Sequence, residues 1–113
     1  MPVTPELLLD GPNDSEWTIA LAHGAGAGMD TPFMNAFAQG LASRGSHVAR
    51  FEFPYMASYR RTGQKKPPDR EPILRAAWLQ VIERLGRERL VIGGEGRWDR
   101  KLGGASVFWR SFT

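Results

Sequence analysis

The sequence predicts an α/β protein, with a parallel sheet and helices packed on its faces. Three short apolar runs, at residues 17–22, 47–53 and 89–94, have the character of inner strands. Two amphipathic segments, one opening at Pro32 and one at Pro72, lie between them. Strands that alternate with helices need crossover connections, and crossovers place successive strands parallel in one sheet.

Glu6-Leu7-Leu8-Leu9-Asp10 fits an edge strand, and Gly11-Pro12-Asn13-Asp14 is a turn. Trp17-Thr18-Ile19-Ala20-Leu21-Ala22 is apolar and nearly continuous, the pattern of a strand covered on both faces, with Trp17 structural at its start. It runs directly into His23-Gly24-Ala25-Gly26-Ala27-Gly28. Beyond that loop Asp30 or Thr31 can cap a helix that has Pro32 at its first position. Phe33, Phe37 and Leu41 recur every four residues, Ala36 and Ala38 lie alongside, and Gly45 stops the helix. His47-Val48-Ala49-Arg50-Phe51-Glu52-Phe53 alternates as a second inner strand, with His47 structural at its start and Pro54 at its end.

Residues 54–70 are polar and contain proline and glycine, so they are expected to form a long loop. From Pro72, the residues Leu74, Ala77, Trp78, Val81 and Leu85 make one apolar stripe, which places Trp78 in the core, and Gly86 closes the helix. Arg89-Leu90-Val91-Ile92-Gly93-Gly94 is the third inner strand. From Glu95 the pattern has neither strand nor helix period, although Ala105–Thr113 fits a short strand. The chain therefore divides into residues 1–94, one α/β unit, and residues 95–113, an irregular tail. A third inner strand should feed a helix. Without one, the sheet is expected to expose a face and an edge suited to a protein partner or to self-association.

Composition excludes several functions. Cysteine is absent, so no disulfide, thiolate metal site or cysteine nucleophile exists. Two separated histidines, His23 and His47, make a poor metal site, and neither metal nor cofactor is expected. The start, Met1-Pro2-Val3-Thr4-Pro5-Glu6, has no basic region followed by an apolar run. Neither a signal peptide nor a membrane span is expected, and a cytoplasmic location is the default. The net charge of +3 owes much to Arg60, Arg61, Lys65, Lys66 and Arg70. These share their stretch with Gly63, Pro67 and Pro68 and have no aromatic platform, which describes a solvated loop and not a nucleic-acid surface.

The glycine loop allows several readings. A dinucleotide site needs a third glycine where Met29 stands and a helix opening inside the loop. Only Glu52, at the end of the next strand, favours it. A phosphate-binding P-loop needs Gly-Lys followed by Ser or Thr, and no lysine is near. An oxyanion-side loop uses backbone N–H groups of His23, Gly24, Ala25 and Gly26, because small residues let a substrate oxygen approach the backbone. A plain glycine turn without chemistry is the remaining alternative. His23 is expected to hold loop geometry through a hydrogen bond, and Asp30 to cap the helix.

Leu21-Ala22-His23-Gly24-Ala25-Gly26-Ala27-Gly28-Met29-Asp30, followed by Pro32-Phe33-Met34, resembles small bacterial α/β-hydrolase-like proteins related to dienelactone hydrolases. Their eukaryotic relatives include the hydrolase-like domain of a subunit of the NSL histone-acetyltransferase complex. Arg50-Phe51-Glu52-Phe53-Pro54-Tyr55-Met56, Pro67-Pro68-Asp69-Arg70 and Leu90-Val91-Ile92-Gly93-Gly94 carry the same resemblance in the same order. It implies an α/β-hydrolase-like parallel sheet, here incomplete, and in intact relatives a small ester or acyl substrate cleaved by serine attack with a histidine base and an acid.

In that family the last of these strands runs into a nucleophile elbow, Gly-Gly-Lys/Arg-Ser-Met-Gly-Gly. Here Glu95-Gly96-Arg97-Trp98-Asp99 follows Gly94, so no catalytic residue is assigned. Ser106 lies in Gly104-Ala105-Ser106-Val107-Phe108, which lacks the second glycine. The expectation is a truncated, inactive hydrolase fragment, or a binding module of the same fold. Codons for Glu95 to Asp99, read from the third base of the first, can encode Arg-Ser-Met-Gly, so the tail fits a shifted reading frame. Coding DNA unable to encode Ser-Met-Gly there excludes the shift.

Overall fold

The computed structural model describes residues 5–23, 28–96 and 106–112. Eight elements follow one another: β1 (Leu8–Asp10), β2 (Thr18–Ala22), α1 (Pro32–Ser43), β3 (His47–Phe51), α2 (Pro54–Thr62), α3 (Glu71–Leu85), β4 (Leu90–Gly96) and β5 (Ser106–Phe112). They form one mixed sheet in the order β1-β3-β2-β4-β5. The three inner strands are parallel, with Ala22 opposite Phe51 on one side and opposite Gly94 on the other. The two outer strands run antiparallel, β1 along β3 and β5 along β4.

Both faces of the inner sheet are covered, which explains the continuous apolar run of β2. Ile19 and Leu21 point to one face, against Met34 and Ala38 of α1 and Val48 of β3. Ala20 and Ala22 point to the other, where Trp78 and Val81 of α3 pack with Phe51, Leu90 and Ile92. Successive strand residues face opposite ways, so each face receives every second side chain. The small alanines let α3 come close enough for Trp78 to meet Phe51 edge-to-face, at a centroid distance of 4.8 Å.

Helix boundaries follow local chemistry. Thr31 is the N-cap of α1 and accepts a hydrogen bond from the Met34 N–H at 3.2 Å, with Pro32 at the first helical position. Asp30 does not cap this helix as expected; its carboxylate turns to Arg60 instead. The helix α3 starts at Glu71 and ends at Gly86, whose N–H reaches the Ile82 carbonyl at 2.8 Å.

One expectation needs correction. Residues 54–62 are not loop but the helix α2. Pro54 sits in its first turn, where a missing N–H costs nothing, and Gly63 ends it in the left-handed conformation at φ 76°. Tyr55 and Met56 are buried and Tyr59 packs against the same core, so burial outweighs the polar character of the segment. Within the tail, Ser106–Phe112 forms the short strand β5 and pairs with the whole of β4. That pairing covers the β4 edge that the sequence left open. No helix among the described residues is long and apolar enough to cross a membrane.

Candidate functional site

The central strand β2 ends beside the ends of β3 and β4, where a parallel α/β sheet places its ligands. His23 follows β2 directly and is 2% exposed. Its Nε2 accepts a hydrogen bond from the Phe53 N–H at 3.1 Å, beyond the end of β3. A backbone N–H can only donate, so Nε2 is unprotonated and already engaged. The Phe53 and Tyr55 rings stand edge-on to the imidazole, at 5.2 and 5.6 Å. His23 is thus a tether between two strand ends. Gly24, Ala25 and Gly26, the remaining oxyanion-side residues, lie outside the described residues.

A second set of tethers begins at Gly28. Glu52, 5% exposed, accepts the Met29 N–H at 3.1 Å and pairs with Arg60, whose Nε lies 2.9 Å from its Oε1. The same guanidinium reaches Asp30, with Nη1–Oδ2 at 3.0 Å and Nη2–Oδ1 at 2.8 Å. A Cβ at Gly28 would stand 2.5 Å from a Glu52 oxygen and 2.9 Å from Arg60 Nη2, so any larger residue there would have to displace the ends of these two paired side chains. Arg50, 3% exposed, donates to the Met29 carbonyl at 3.0 Å, to Asn35 Oδ1 at 2.7 Å and to both oxygens of Asp10. Glu52 is therefore committed to Arg60 and the Met29 amide, which argues against its serving a ribose. The residues just before 24 and just after 27 are both held to the end of β3.

Sequence reasoning passed over Arg50 and Arg60 as site residues. The signal for Arg50 was present: a charged side chain inside an apolar strand must find a partner when buried. Asp69 was also missed. Its Oδ2 accepts the Tyr55 N–H at 2.8 Å, supplying the cap of α2 that Phe53, the N-cap residue, cannot.

The ion pairs set a pH dependence. At Asp30 the Arg60 hydrogen bond, opposed by burial, leaves the carboxyl below its ordinary 3.8. At Glu52 burial pushes the carboxyl up, but the Arg60 and Met29 hydrogen bonds outweigh it and hold the group below 4.5. Both folded values are depressed, so their contribution is present above the unfolded values and lost as pH falls through the folded ones. The urea midpoint is expected to hold down to about pH 5 and then decline, less steeply in Arg60→Gln. Equal declines in the two proteins would show that the Arg60 pairs carry none of it.

Residues 15–102 match the family model of an alpha/beta hydrolase domain. The chain belongs to this alpha/beta hydrolase family. No curated protein and no solved structure matches it. The nucleophile of an alpha/beta hydrolase rides a sharp strand-to-helix turn. In this member β4 runs on through Glu95 and Gly96, which pair with Val107 and Ser106 of β5.

Proposed function

We propose that this alpha/beta hydrolase domain presents the oxyanion side of an ester- or acyl-hydrolase site, His23 to Gly26, without a nucleophile, and that it binds without turnover. Its relatives of the dienelactone-hydrolase type would use a serine at the elbow to attack a small ester or acyl substrate. The observation that supports inactivity is the course of β4. Glu95 and Gly96 continue the ladder where a strained turn would have to expose a hydroxyl. The tethering of His23 to Phe53 supports a positional role for this histidine and not a basic one at Nε2.

A serine-directed fluorophosphonate probe tests the proposal on the full chain. No covalent adduct is expected by intact-mass measurement after prolonged incubation. Stoichiometric labelling at a single serine would overturn it.

A further inference from the structure

The basic run plays no part in the hydrolase proposal. A cavity of about 190 Å³ lies between α2 and the segment that follows it, lined by Tyr55, Met56, Tyr59, Lys65, Lys66 and Pro68. We propose that it binds a small organic anion, a single six-membered ring or comparable apolar body carrying one carboxylate.

Size sets the first limit. An apolar cavity of about 150 Å³ holds benzene in another protein, so this one has room for a ring and one substituent but not for a nucleotide. The floor sets the second. Tyr55 and Met56 are buried, and Tyr59 lies one helical turn from Tyr55 on the same face of α2. Two phenol rings, a thioether that adapts to shape and the proline ring offer an apolar bed.

Charge sets the third. Lys65 and Lys66 are exposed on the cavity wall, and among the described residues neither makes an ion pair. The nearest acid along the chain, Asp69, has its Oδ2 on the Tyr55 amide at 2.8 Å. Two lysines on the wall of an apolar cavity suit a carboxylate on a ring. The site needs no nucleophile, so it stands or falls separately from the hydrolase proposal.

The test titrates the full chain with benzoate, followed by amide chemical shifts, beside benzamide (same shape, no charge) and acetate (same charge, no ring). Saturable benzoate binding in the millimolar range is expected, with shifts centred on Tyr55, Met56 and Tyr59. Benzamide and acetate should each bind about tenfold more weakly. The double variant Lys65→Gln/Lys66→Gln should lose about tenfold in benzoate affinity with benzamide unchanged. Both lysines are exposed, so the remaining spectrum reports an intact fold. Absence of saturation up to about 20 mM benzoate would overturn the site, as would undiminished binding by the double variant. Acetate binding as well as benzoate would also overturn it, reducing the cavity to two surface charges.

Discussion

Arg50→Met should lower the unfolding free energy by about 3–5 kcal/mol, the range for breaking a buried ion pair from one side. The guanidinium is nearly inaccessible and makes four hydrogen bonds to three separate parts of the chain: Asp10 of β1, the Met29 carbonyl, and Asn35 in the first turns of α1. Methionine fills much of the same volume, so the loss is chiefly electrostatic. It strands Asp10, whose side chain is 16% exposed, without its counter-ion. Arg50→Lys keeps the charge but loses the planar fork that grips both Asp10 oxygens, so it should recover only part of the loss. The measurement is a urea titration with the slope m held as a control: a lower midpoint at unchanged m is the expected result. In Asp10→Leu/Arg50→Met the combined loss should fall well short of the two single losses added, because the stranded charge is gone. A loss below about 1 kcal/mol in Arg50→Met would mean that the network is only a surface decoration.

Trp78→Ala should cost a similar amount, about 3–5 kcal/mol, by a different mechanism. Trp78 is 4% exposed, lies edge-on to Phe51, and belongs to the cluster that joins α3 to β2, β3 and β4. Truncation removes the aromatic contact and leaves a void beneath a helix that the sheet cannot follow. Leu79, its neighbour on α3, is 47% exposed, and Leu79→Ala should stay within about 0.5 kcal/mol. A domain of this size is held by roughly 5–15 kcal/mol, so Trp78→Ala and Arg50→Met together should leave little folded protein at room temperature. Equal midpoints for Trp78→Ala and Leu79→Ala would refute the assignment of the core face of α3.

The two substitutions also separate what was readable in the chain from what was not. Trp78 could be placed in the core from the spacing of Leu74, Ala77, Val81 and Leu85, because helical periodicity is local. The same holds for the three inner strands and for α1, where Pro32 and Gly45 mark the ends. The tether role of His23 was foreseen, but its partner, the Phe53 amide thirty residues on, was not.

What escaped depended on contacts distant in sequence. The helix α2 has local end signals in Pro54 and Gly63, but it is anchored by burial of Tyr55 and Met56 and by the Asp69 carboxylate at its start. The second flank of the glycine loop is held by Arg50, Glu52 and Arg60, which meet Asp10 and Asp30 only because the sheet brings β1, β3 and α2 together. The β5 strand was legible as a short strand, but its pairing along β4 was not. The sequence by itself therefore determined the alternation of elements and the covered faces of β2. Tertiary structure decided the charge network, the cap of α2 and the cavity beside it. Periodicity along a chain specifies which face of an element is apolar, whereas ion pairs and cavities arise only once several elements share one volume.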